Sequence, residues 1–452
     1  MRLVLVVCFA LRLLLFIGAE PWTPTVRDNI LLQADGREYS EIAISLLTHA
    51  DFSAKEEFQG LRTPVFPMYV MVIYWLAGHR PWVVLLSHVL IDTFSCYLLF
   101  LALQNLFSKR IARLSALFYA LDPFLIYHCS TMFADTFFVF TLVAFFYFFA
   151  RLLTGDPRSF STPNITCAAI TLGIATLTKP ITLYLPFLVL ITFLIIFKGQ
   201  LKKWLLPALT FLVVFFLALS PWLIRNYIRF DHFSLSNSGD YNTLAVYVSH
   251  TEMDRRHSPT LYPVIDDLLA EGDSLIRKDG YDPDNINPFE KAGYYKQLSM
   301  GYIKRYPLIF IKHVFLGVFH EMFGLGTKGY SDLLHLGSVS ESFTMFAHSN
   351  VFDLIRAFFR EKTFGEILLG AFIAVYLAIS YAGALYGTFI AFRTHKAFTI
   401  FCILTACYFI VLSGAGGWTR YKLPAIPFYL GFAGLGLETA LARFRHPPKK
   451  IS

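Results

Sequence analysis

The chain has 452 residues, 56% of them hydrophobic and 17% aromatic, and only 15% charged. Soluble globular domains carry nearer a quarter charged residues, so a mean hydropathy of +0.54 with apolar runs recurring end to end points away from a soluble enzyme and towards an all-α polytopic membrane protein. The net charge of +8 does not mark a nucleic-acid binder, because no basic stretch interleaved with aromatics occurs outside the apolar segments; Lys and Arg on cytoplasmic loops account for it.

In chain order, apolar segments are predicted at roughly 3–19, 65–78, 82–106, 111–128, 132–151, 163–179, 181–198, 204–222, 366–391, 397–414 and 422–441. The first follows Met1-Arg2 like a secretory leader, but Arg12 interrupts it and no small-residue cleavage site follows, so it is read as a span. Basic clusters fall at Lys109, Arg110 and Arg113; Arg151 and Arg158; Lys198, Lys202 and Lys203; Arg393 and Lys396; and Arg443, Arg445, Lys449 and Lys450. Assigning these to the cytoplasm puts the acid-bearing loops 20–63 and 222–365 outside.

The chain is then outside at residue 63 and inside at residue 109, so only one of the two segments between them can cross. Segment 65–78 is short of the ~20 residues a crossing needs. It also begins with Pro64 and Pro67, which suit a helix start. It is therefore predicted as an interfacial helix (64–80) on the outer face, with 82–106 as the second span. The expectation is ten spans with both termini inside: an N-terminal transmembrane module (1–222) with a first external loop (20–63), a long external loop (223–365) and C-terminal transmembrane helices (366–452). Within the long loop, Tyr294 to Phe323 shows helical apolar spacing with Lys304, Arg305, Lys312 and His313 interspersed, the pattern of an amphipathic helix at the membrane surface.

Cys8, Cys96, Cys129, Cys167, Cys402 and Cys407 all lie in or beside apolar segments and read as small core residues. No Cys-x-x-Cys or His-Glu-x-x-His pattern occurs, so no metal ligand is assigned, and a divalent-metal requirement is left open. The lack of external cysteine pairs or an external glycosylation sequon points to a bacterial inner (plasma) membrane, with the external loops facing the periplasm.

The candidate site residues gather at predicted outer helix ends. Asp35 and Glu38, in Ala34-Asp35-Gly36-Arg37-Glu38-Tyr39, are carboxylates able to take a proton from an attacking hydroxyl or amine. The competing reading is that they solvate the loop or cap a helix. Arg62, just before Pro64-x-x-Pro67, has the geometry to hold a phosphate bidentately or to anchor among headgroups. Asp135 is an acid at the outer start of an apolar span, a place where ionisable groups are usually functional or paired. Lys179, Arg225, Arg420 and Lys422 also stand at outer termini, where the charge rule disfavours them. Headgroup anchoring explains any one of these cations; a convergent phosphate site explains the set. His313, His320 and Glu321 read as surface-helix residues.

With these residues in place, the chain resembles the GT-C class of polyprenyl-phosphate-dependent glycosyltransferases, in particular the protein O-mannosyltransferase and lipid A aminoarabinose transferase superfamily. The motifs that carry the resemblance occur in order: Asp35 to Tyr39, Arg62-x-Pro64-x-x-Pro67, Asp122-Pro123 followed by Asp135, Lys179-Pro180, Pro221-Trp222-x-x-Arg225-Asn226, and Arg420-Tyr421-Lys422-x-Pro424-x-x-Pro427. The resemblance implies an inverting membrane glycosyltransferase with Asp35 as catalytic carboxylate. It also implies a donor-phosphate role for Arg62; Tyr39, Asp135, Lys179, Arg225, Arg420 and Lys422 are expected to join it in binding substrate, with a lipid, glycan or protein as acceptor. Two departures stand out. Gly36 follows Asp35 where the mannosyltransferases carry adjacent Asp-Glu, leaving Glu38 or Glu41 for the second role. Lys179 occupies a position where Arg is more usual. The rival readings are a lipid-diphosphate-dependent ligase or polymerase of the O-antigen type, and a polyprenyl-lipid transporter or flippase.

Overall fold

The computed structural model describes residues 1–52, 60–154, 161–197, 200–335 and 362–445; Arg158, Lys198, Lys449 and Lys450 of the basic clusters lie outside the described residues. The described chain is predominantly helical, with no strand among the described residues. The N-terminal half runs α1 (Arg2–Gly18), α2 (Asp35–His49), α3 (Val65–Ala77), α4 (Pro81–Gln104), α5 (Lys109–Leu121), α6 (Pro123–His128), α7 (Asp135–Leu152), α8 (Thr162–Thr178), α9 (Leu185–Phe197) and α10 (Leu201–Phe230). The region between α10 and the C-terminal helices adds α11 (Ser249–Arg256), α12 (Tyr262–Lys278), α13 (Pro288–Arg305), α14 (Pro307–Phe323) and α15 (Thr327–Leu333). The chain closes with α16 (Phe364–Thr394), α17 (Lys396–Ser413) and α18 (Ile426–Arg445).

Prolines set several of these boundaries. The segment expected to run unbroken over 111–128 is split at Asp122, whose carboxylate caps α6 by accepting from the backbone N–H groups of Phe124 (2.9 Å) and Leu125 (3.0 Å). At Lys179 the backbone is extended (φ −142°, ψ 119°), as the residue before a proline prefers, and ends α8. The amphipathic helix expected over 294–323 is two helices, α13 and α14, parted at Tyr306-Pro307.

Seven helices among the described residues are long and apolar enough to cross a membrane: α4, α7, α9 with its lead-in turn, α10, α16, α17 and α18 with its lead-in turn. The pair α14–α15, bent by 59°, makes an eighth if it is one broken span. At 17 residues each, α1 and α8 fall just short, and the α5–α6 break removes another. Length and composition therefore do not reach the ten spans expected. The 13-residue α3 is, as expected, a short apolar helix. It exposes Met68, Val72, Trp75 and Leu76 along one stripe and packs Phe66, Val70, Ile73 and Tyr74 inward, as a helix lying against the bundle requires.

Packing between the spans combines aromatic rings with small residues. Phe149 sits 4.5 Å from Phe401 and 6.1 Å from Phe193, joining α7, α17 and α9. Helices α16 and α18 approach backbone to backbone: a Cβ on Gly387 would lie 1.9 Å from the Phe432 carbonyl oxygen, the small-residue contact typical of helices in lipid.

Arg12, read from the sequence only as an interruption, is fully buried and paired with Asp92 of α4. It also donates to the carbonyls of Ala120 (2.9 Å) and Cys8 (3.2 Å), while the Tyr119 hydroxyl donates to the second Asp92 oxygen (2.6 Å). This closed network locks α1, α4 and α5 together. Arg12→Met leaves Asp92 an uncompensated buried charge and is expected to lower stability by about 3–5 kcal/mol, whereas the double variant Arg12→Met/Asp92→Leu recovers most of it. Thermal unfolding midpoints in detergent check both.

Candidate active site

Helix α2 begins with Asp35, and Glu38 sits one turn on, so both acids benefit from the positive end of the helix. Between them Gly36 has no room for a side chain: a Cβ there would stand 2.1 Å from the Leu31 carbonyl oxygen and 3.0 Å from Met132 Cβ. That contact is the physical reason a second acid cannot follow Asp35 directly. Glu38 takes the pairing instead, because one helical turn brings it to the same face. Glu41 is engaged by Arg37 (2.8 Å).

Arg62 arrives from 27 residues later and lies across this face. Its Nη2 donates to Asp35 Oδ1 (2.7 Å), its Nε to Glu38 Oε2 (2.6 Å) and its Nη1 to the Tyr39 hydroxyl (3.4 Å), with the guanidinium 4.9 Å from the Tyr39 ring centre. Tyr39 is braced edge-on by Phe66 at 4.7 Å. The segment carrying Arg62 is held from behind by the long external loop: Ser236 Oγ donates to the Leu61 carbonyl (2.7 Å) and Asn237 N–H to that of Gly60 (3.0 Å). Thr63 Oγ1 donates to the Thr178 carbonyl (3.0 Å), tying Arg62 to the end of α8 where Lys179 follows.

The second guanidinium comes from the far end of the chain. Arg420 Nη1 donates to Asp35 Oδ2 at 3.1 Å across 385 residues. It stands among Phe133, Tyr421 and Trp418, with ring centres at 5.1, 5.3 and 5.7 Å. Its loop is gripped by α14, where His320 Nδ1 meets the Gly417 carbonyl and Gly317 abuts Gly414. Lys179 Nζ donates to Asp135 Oδ1 (2.6 Å), and Asp135 is 3% exposed.

Six of the sequence-predicted ionisable residues thus form one site, with Asp35, Glu38 and Asp135 opposing Arg62, Lys179 and Arg420; their formal charges cancel. Burial alone would raise the Asp35 carboxyl, but the positive charges of Arg62, Arg420 and Lys179 outweigh it and hold the group well below the usual carboxylate range. Burial pushes the Tyr39 phenol well above its ordinary value, so it stays protonated.

Two predicted residues do not join these contacts. Arg225 stacks on Trp222 (4.6 Å), Phe230 (5.1 Å) and Phe52 (5.6 Å) and donates to Asn226 Oδ1 (2.7 Å). Lys422 is fully buried, with Nζ 3.4 Å from the Phe124 ring centre and donating to the Met322 carbonyl (3.2 Å). Glu321, read as a surface residue, is buried and accepts from Ser413 Oγ at 3.1 Å. Among the described residues, no group of three or more His, Cys, Asp and Glu side chains gathers in a way that would hold a metal ion.

Residues 62–224 match the family model of the dolichyl-phosphate-mannose-protein mannosyltransferases. The archaeal oligosaccharyltransferase AglB from Archaeoglobus fulgidus, solved with an inhibitory peptide and a dolichol-phosphate, superposes at a TM-score of 0.50 with 14% identity over 97% of this chain and 51% of its own. The same enzyme tethered to an acceptor peptide containing the NVT sequon gives 0.50 and 14%, over 97% and 50%. ArnT from Cupriavidus metallidurans bound to undecaprenyl phosphate gives 0.39 and 15%, over 97% and 79%. The chain spans about half the length of the oligosaccharyltransferase. No curated protein sequence matches significantly. The fold is that of the GT-C membrane glycosyltransferases. Within it, residues 62–224, which carry Arg62, Asp135 and Lys179, bear the sequence pattern of the dolichyl-phosphate-mannose-protein mannosyltransferases.

Arg62→Ala strands two neighbouring carboxylates and is expected to cost on the order of 2 kcal/mol at neutral pH, less than a fully buried pair because the partners keep some exposure. The Asp35 part of that loss follows a fixed sign. A carboxyl depressed in the folded state contributes its full stability above its unfolded value, about 3.9, starts to lose it below that value, and has lost it only once pH falls through the depressed folded value. The gap in unfolding midpoint between wild type and Arg62→Ala should therefore be wide at pH 7 and narrower at pH 3.5.

Proposed function

We propose that this protein transfers a sugar from a polyprenyl monophosphate donor to an acceptor on the outer, periplasmic face of a bacterial inner membrane, with inversion at the anomeric carbon. The observation that carries the reading is Asp35 held between two guanidiniums, one from the first external loop and one from the C-terminal spans. Resting guanidiniums paired with a carboxylate are a ready phosphate clamp, because Arg binds either anion bidentately.

The donor phosphate competes with Asp35 for Arg62 and Arg420, with Lys179 adding a third positive charge. As those contacts pass to the phosphate, the carboxylate loses its strongest stabilisation and becomes a better base. It then takes the proton of the acceptor hydroxyl or amine as that atom bonds to the anomeric carbon. The bond from the anomeric carbon to the phosphate oxygen breaks on the opposite face, and polyprenyl phosphate leaves with its charge neutralised by the same cations. The dolichol-phosphate held by the archaeal oligosaccharyltransferase of similar fold is consistent with such a donor. Protein, glycan and lipid acceptors all supply the chemistry that the attacking group needs.

Purified protein is expected to turn over polyprenyl-monophosphate sugars and not the diphosphate-linked ones, as measured by release of polyprenyl phosphate from the first and of polyprenyl diphosphate from the second. Asp35→Asn should lower that turnover by at least about a hundredfold, the usual contribution of a positioned base. Preference for the diphosphate donor, or normal turnover in Asp35→Asn, contradicts the proposal.

A further inference from the structure

Beside the charged cluster, residues 128–135 form a wall whose polar groups are buried and incompletely used. His128 is 5% exposed, Ser130 0% and Asp135 3%. His128 Nδ1, Ser130 Oγ and Asp135 Oδ2 have no hydrogen-bond partner, and neither does Arg420 Nε. The other Asp135 oxygen is already taken by Lys179. The charges facing His128 are Asp135, Arg420 and Lys179, and Arg420 packs against Phe133 of the same wall. Each buried polar atom without a partner costs about 1–3 kcal/mol, so a wall carrying several of them fits a complementary ligand.

The chemistry of the unused atoms narrows that ligand. Asp135 Oδ2 only accepts, Arg420 Nε only donates, and Ser130 Oγ does both. An ionised phosphate offers acceptors alone and leaves Asp135 unsatisfied; a lipid tail satisfies none of them. A ligand bearing several neighbouring hydroxyls both donates and accepts.

We propose that His128, Ser130 and Asp135 form the subsite that binds the hydroxyls of the transferred sugar and sets which sugar is accepted. This assignment rests on the glycosyl-transfer reading above. It places the sugar against the 128–135 wall while its phosphate engages Arg62 and Arg420. His128 and Ser130 are specificity determinants in this arrangement, and Asp135, oriented by Lys179, is a third.

The test compares kcat/KM for polyprenyl-phosphate glucose with mannose, galactose and xylose, which differ from glucose at one hydroxyl-bearing carbon or by the loss of its hydroxymethyl group. Wild type is expected to discriminate among them, and His128→Ala and Ser130→Ala to narrow the spread by about tenfold or more, because a site built to bond a hydroxyl discriminates through that bond. Asp35→Asn instead lowers all four rates together. The ratio of two donors in one preparation is independent of how much protein is folded, so a folding defect cannot mimic the result. An unchanged spread in both variants, or a wild type indifferent to all four, overturns the subsite while leaving glycosyl transfer intact. A wild type that transfers none of the four, while turning over diphosphate donors, overturns the underlying reading and the subsite with it.

Discussion

The structure depends on one carboxylate shared by two arginines. Asp35 binds Arg62 through one oxygen and Arg420 through the other, and those arginines come from opposite ends of the sequence. Three ionic contacts to a single small region would scatter if any supporting element moved, and each cation has its own brace. The external loop holds the backbone before Arg62, and α14 holds the loop before Arg420. The long polar insertion is thus part of the scaffold of this charged cluster.

The membrane explains why the charges are matched so closely. Ionisable groups near the apolar region are costly unless paired, and the two interior clusters follow that rule in different ways. Arg12 and Asp92 are closed off, with every strong donor satisfied by α1, α4 and α5; that pair holds helices together. The Asp35 cluster is partly open, with the carboxylate, Glu38 and Arg62 each keeping about a fifth of the side chain exposed. An exposed, overcommitted set of charges can exchange partners with an incoming anion, which a sealed pair cannot do.

Much of this was legible in the sequence because charge placement in a membrane protein carries positional information. Asp35, Glu38, Tyr39, Arg62, Asp135, Lys179 and Arg420 stand out as polar residues at outer helix ends, and the structure brings them to one place. Arg225 and Lys422 stood out by the same logic, yet one settles on aromatic rings and the other turns inward onto Phe124. A terminus position fixes depth, not the direction a side chain takes. The choice of Glu38 over Glu41 was hidden because it turns on which arginine reaches each acid: Arg62 meets Glu38 and Arg37 holds Glu41. The Arg12–Asp92 bond escaped for a related reason: its partners are 80 residues apart, and neither lies in a motif. His128 closes the predicted segment 111–128 and Ser130 falls in the short gap before 132–151, and only their unused polar atoms distinguish them. The ten spans are not reached by length and composition, because Asp122 breaks the segment 111–128 that hydropathy alone joins and α1 and α8 stop at 17 residues.

The claim at the centre is that a phosphate and the Asp35 carboxylate compete for the same two guanidiniums. Equilibrium binding of polyprenyl phosphate to Asp35→Asn measures this directly, free of any chemical step. The account predicts binding tighter than wild type by about tenfold, since a neutral amide neither repels the phosphate nor holds Arg62 and Arg420 as strongly. Weaker binding by the variant would contradict it.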